Sequence, residues 1–198
     1  MAYTLPSEGL RKWPSLTSFF QRGTSPNEVV YAAGVQNQSG FTTATLPLNS
    51  LRGSIFSISR QCVLSKLFME CTSNSAGSVA RCGIYATSWN AGSLYPTSLV
   101  VDSGQLDTSA IAVVSVSVSA TLYPGTYWYV AISGTAIPTF RAKQAVNVEH
   151  TLGSTNTLNS LSTLIVVART FGALPTTFPA SAALSTGNQF VVGMEFSG

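Results

Sequence analysis

The chain predicts an all-β fold, an antiparallel β-sandwich carried behind an extended N-terminal arm. Three observations predict it. From Ser54 onward, short runs rich in β-branched and aromatic residues are bounded by turn residues. No helical period of apolar positions lasts ten residues, and no heptads occur. No internal repeat returns at a regular spacing, which argues against propellers, solenoids and triple β-helices.

Taken in order, residues 1–40 read as the arm and residues 41–198 as the sandwich domain. The arm holds Pro6, Pro14 and Pro26 and sustains no period. Trp13, Phe19, Phe20 and Tyr31 would be poorly placed in water, so they fold back on the domain or dock on a partner. Arg11, Lys12 and Arg22 make the nearest approach to a basic patch, either a solvated arm or a docking element for an acidic surface. Strands are expected over Ser54–Ser59, Cys62–Cys71, Ser78–Thr87, Thr97–Asp102, Ile111–Ala120, Thr126–Ser133, Ile137–Ala142, Thr163–Thr170 and Gln189–Phe196, enough for two packed sheets. In the second run, alternation puts Val63, Leu67, Met69 and Cys71 on the core face. Between Ala112 and Ala120, small apolar residues alternate with Ser115, Ser117 and Ser119; one face is core, the other wet or paired with another subunit. Gln144 to Ser162 reads as a long loop. Phe171 to Gly187, with Pro175 and Pro179, is kept out of any central strand and should wrap the surface before the last strand closes the sheet.

Composition narrows the function. Charged residues make up 9% of the 198, against roughly a quarter in an ordinary globular protein. The polar surface is therefore mostly Ser, Thr, Asn and Gln, and lacks the charges that resist association. We expect a surface covered by neighbours in an oligomer or larger assembly. The net charge of +3 comes from scattered single basic residues, so no nucleic-acid partner is expected. The longest apolar runs are about five residues, far below the roughly 20 of a spanning helix, so no membrane insertion is expected; nor does the start resemble a secretion signal.

Material for chemistry is sparse. The single histidine, His150, follows Glu149: a polar loop pair, or part of a triad for which no G-x-S-x-G nucleophile exists. Asp102 and Asp107 bracket Ser103-Gly104-Gln105-Leu106, either a turn held by Asp side chains or a fragment of a calcium site. Phosphate-cradling glycine loops are missing, and no cofactor is expected. The three cysteines match no metal spacing. Buried free thiols are one state for them, and a Cys71–Cys82 bridge across a hairpin is the other. No catalytic, cofactor or metal residue is assigned, and the chain is read as non-enzymatic. Among the aromatics, alternation puts Tyr127 and Tyr129 on one strand face and Trp128 on the other. Trp89, in the loop Ser88-Trp89-Asn90-Ala91-Gly92, and the two tyrosines are candidates for stacking on glycan or for a subunit contact, with Trp128 a core anchor.

Three stretches occur together: Val79-Ala80-Arg81-Cys82-Gly83-Ile84-Tyr85; Val101-Asp102-Ser103-Gly104 with Leu122-Tyr123-Pro124-Gly125-Thr126-Tyr127-Trp128; and Gly172-Ala173-Leu174-Pro175. In order and spacing they resemble a family of phage virion β-domains found in capsid decoration (cement) proteins and tail-fibre tips, over residues 55 to 196. The resemblance implies a jelly-roll-like sandwich, often a homotrimer, without catalysis, located on the virion after assembly in the host cytoplasm. It implies a decoration subunit on the outer head surface, with the major capsid protein as partner, or a fibre tip that recognises host-surface glycan. The family's binding surfaces lie in variable loops, so no site residue carries over. The capsid-docking candidates, Arg11, Lys12, Trp13, Phe19, Phe20 and Arg22, come from the arm's composition alone.

Overall fold

The computed structural model describes residues 27–31, 41–58, 60–90, 93–145 and 162–197. Among them no helix occurs, and fourteen strands form two seven-stranded sheets. In chain order the strands are β1 (Asn27–Tyr31), β2 (Phe41–Thr45), β3 (Ser50–Ile58), β4 (Cys62–Ser73), β5 (Val79–Asn90), β6 (Ser93–Asp102), β7 (Leu106–Asp107), β8 (Ala112–Leu122), β9 (Gly125–Gly134), β10 (Thr139–Lys143), β11 (Leu164–Ala168), β12 (Ala183–Ser185), β13 (Gln189–Phe190) and β14 (Gly193–Ser197). Each of the nine expected runs overlaps a strand, and the last overlaps both β13 and β14.

The first sheet is organised on β4, which takes β8 along one edge and β14 and β10 along the other; β1 flanks β14, and β2 and β13 flank β10. The second runs β12-β11-β3-β9-β5-β6, with β7 also on β5. All pairings between these strands are antiparallel. Pro96 is accommodated because β6 is an edge strand. The segment Asn27–Tyr31 lies within the region assigned to the arm, yet pairs in full with β14, from Asn27↔Ser197 to Tyr31↔Gly193. Its Val29-Val30-Tyr31 run suits a pleated edge.

Two cores result. Between the sheets lie Phe56, Leu64, Leu67, Met69, Ile84, Tyr129, Phe140 and Met194, all buried. On the far face of the second sheet, Tyr85, Trp128, Val130 and Ile165 are covered by Leu174 and Phe178, so the Pro-punctuated segment after Phe171 makes a core of its own. Each such side chain contributes about 1.5–3 kcal/mol by leaving water. Trp128 is the expected core anchor, 1% exposed.

One expected face is corrected. Leu64 is fully buried while Val63 is 38% exposed, so β4 does not keep a single alternation. The register with both β8 and β14 shifts at Ser65, between Leu64 and Lys66, and exchanges the inward and outward sides of the strand there.

Candidate functional site

Asp102 and Asp107, two of the side chains that looked available for chemistry, are committed to structure. Arg81 on β5 donates from Nη1 to Asp102 Oδ2 at 2.7 Å. The same oxygen accepts the Leu174 backbone N–H at 3.0 Å, while Oδ1 accepts the Gly104 N–H at 2.9 Å. Gly104 has φ of 72°, the left-handed geometry that glycine adopts without strain. The stretch from Asp102 is thus a turn held by an Asp side chain, and Asp102 Oδ2 is shared by an arginine and an amide. Tyr85 completes the knot by donating to the Pro175 carbonyl at 2.7 Å. A Cβ at Gly83 would collide with the Leu174 side chain and the Val101 carbonyl, so the wrap lies directly on the strand. Three stretches far apart in sequence meet here, and Tyr85 and the Arg81–Asp102 pair fasten the wrap to the second sheet through Pro175 and Leu174.

Asp107 makes its own small turn, accepting from the Ser109 N–H and hydroxyl, which hold its carboxyl below the usual value. Among the described residues no group of three His, Cys, Asp or Glu could hold a metal ion. His150 and Glu149 lie outside the described residues. All three cysteines are thiols and none is disulfide-bonded; Cys71 and Cys82 are buried, and burial pushes the Cys82 thiol up to about 12.

Of the aromatic candidates, Trp89 is 74% exposed near the end of the β5–β6 hairpin. Tyr127 is half-buried against Phe56, ring centroids 5.8 Å apart. Its hydroxyl donates to the Tyr123 carbonyl and accepts the Tyr123 N–H, clasping the turn between β8 and β9. Tyr129 is corrected: at 3% exposure it belongs to the inter-sheet core and offers nothing to a ligand. Its hydroxyl donates to Gln189 Oε1, and burial raises its pKa well above the ordinary 10. Sequence alternation placed it correctly opposite Trp128; the first sheet covers one face of β9 and the segment after Phe171 the other.

A residue not singled out as a site joins Trp89. The β5–β9 register runs from Val79↔Gly134 to Ala86↔Tyr127, so Trp89, which follows Ala86 on β5, and Tyr123, which precedes β9 and is 60% exposed, lie toward the same end of the second sheet. Two exposed aromatic residues thus lie toward one end of the sandwich: Tyr123 on the connection between β8 and β9, and Trp89 not in a loop, as expected, but on β5 itself, paired with Leu94 of β6. The signal for Tyr123 was its place before Pro124-Gly125, a turn that carries its side chain out of the ladder. Arg11, Lys12, Trp13, Phe19, Phe20 and Arg22 lie outside the described residues.

No family model matches the chain, and no curated protein matches it. Among solved structures it is similar to the crystal structure of the cysteine protease and lectin-like domains of Cwp84, a surface layer associated protein of Clostridium difficile. That match has a TM-score of 0.38 at 11% identity and covers 78% of this chain and 36% of the other.

Proposed function

We propose that this protein is a structural subunit of a phage virion, a decoration or cement subunit on the outer surface of the head, with the major capsid protein and copies of itself as partners. The observation that carries this reading is the knot of Arg81, Tyr85 and Asp102 with Leu174 and Pro175, in which the stretches behind the resemblance take purely scaffolding roles. The low charge supports it as well, since 9% charged residues suit a surface that neighbours cover. In this reading Arg11, Lys12, Trp13, Phe19, Phe20 and Arg22 grip the capsid. Immunogold electron microscopy of intact particles tests it. Gold over the heads is the expected result; gold on no part of the particle overturns the virion reading.

A second reading, a glycan-binding tip of a tail fibre, is favoured by the exposed pair Trp89 and Tyr123. Aromatic rings present the flat apolar face on which sugar rings stack. Gold at the tail tips would select this reading. Under it Trp89→Ala abolishes binding to host-surface glycan and leaves head binding untouched, whereas Arg11→Glu with Lys12→Glu does the reverse under the first.

A further inference from the structure

We infer that β8 is a homotypic interface, pairing antiparallel with β8 of a second copy of this chain across a two-fold axis near Ser117. Among the described residues β8 pairs with β4 alone, so one long edge of an eleven-residue strand keeps its backbone N–H and C=O groups unpaired. Native edges are ordinarily protected by charge, proline or shortness. This one has no charge, no proline and full length, and its one irregularity is a register shift against β4 between Ser117 and Ala120. No charged residue occurs between Asp107 and Arg141, and no proline falls within Ala112–Leu122.

The strand is incompletely covered as well. Val114, Val116, Val118 and Ala120 pack against the inter-sheet core but are only partly buried, and their neighbours Val113, Ser115, Ser117, Ser119 and Thr121 are exposed. Large exposed apolar side chains gather here: Ile111 at 67%, Val113 at 59% and Tyr123 at 60%, with Val63 of β4 opposite Thr121.

The occupant is argued from the strand itself. A two-fold antiparallel contact sets each residue against its mirror position, and this sequence nearly reads the same from both ends of Ser117. Val116 meets Val118, Ser115 meets Ser119, Val114 meets Ala120, and Val113 meets Thr121. The match keeps valines against the core and hydroxyls outside, as register demands. A two-fold axis also brings every charge against its own copy, and a chargeless strand escapes that repulsion. Eleven residues a side supply about ten main-chain hydrogen bonds, the number in a standard interface. The half-covered valines of the two copies then close one continuous core edge.

This contact is independent of the virion reading, because it forms between free chains in solution. The full chain is therefore tested by light scattering behind size exclusion at micromolar concentration. The expected mass is twice 20.8 kDa. Ser117→Lys, which puts two ammonium groups at the axis while changing only an exposed side chain, weakens the dimer at least tenfold, with an unfolding temperature equal to wild type when both are measured dilute enough to be monomeric. Ser117→Cys forms an intermolecular disulfide on mild oxidation faster than Ser115→Cys or Ser119→Cys, measured above the wild-type background. A monomer at tens of micromolar overturns the inference, as does a mass of three chains, or a dimer that Ser117→Lys leaves intact.

Discussion

Removing the Asp102 carboxylate tests whether the wrap after Phe171 is fastened or merely laid against the second sheet. Asp102→Ala deletes the charged bond from Arg81 at 2.7 Å, the bond from Leu174 N–H at 3.0 Å and the bond from Gly104 N–H at 2.9 Å. Hydrogen bonds to a charged group contribute about 1.5–3 kcal/mol each. The Gly104 amide lies in an open turn where water replaces the carboxylate, which leaves two bonds to count. Arg81 is further penalised, since its side chain is 16% exposed and loses its counter-charge. The expected cost is about 3–5 kcal/mol. For a domain of this size that corresponds to a melting temperature lower by about 6–20 °C. Urea unfolding should show the midpoint fall with an unchanged slope. Because the Arg81–Asp102 bond is already lost in Asp102→Ala, adding Arg81→Ala should cost little more than Asp102→Ala alone. A loss under about 0.5 kcal/mol, the range of ordinary surface substitutions, would refute the claim that this knot holds the wrap.

Two further outcomes follow from local chemistry. Burial pushes Cys82 up to about 12 and raises Cys71 as well, so a thiol reagent at pH 8 should label neither in the native protein; in denaturant all three cysteines should react. The Glu70 carboxyl is held below its ordinary 4.5, chiefly by hydrogen bonding from Arg141 at 2.7 and 2.9 Å. A folded pKa below the unfolded one gives stability that is present above the unfolded value and lost as pH falls through the folded value. Both side chains are over a third exposed, so Glu70→Gln should cost under about 1 kcal/mol at pH 7 in urea unfolding, and the difference from wild type should vanish in acid.

What the sequence by itself determined is the set of long strands and most of their faces, because side-chain direction alternates along a strand and that alternation is written residue by residue. Tyr127 and Tyr129 opposite Trp128, and the valine and serine faces of β8, were legible in this way. The short strands β2, β7 and β12 were not, since runs of two to five residues carry too little period to distinguish from loop. β1, likewise five residues, was hidden in a proline-punctuated stretch and is defined by its partner β14. Tertiary structure alone decided the matters of coverage and meeting. It turned Leu64 inward and Val63 outward through a register shift against two neighbours, and it buried Tyr129. It also joined Arg81 to Asp102, and Asp102 to Leu174 across 72 residues, and it left β8 at an edge. Each of these depends on which distant strand lies alongside. A chain specifies that only by folding, because the period along one strand contains no statement about its neighbour.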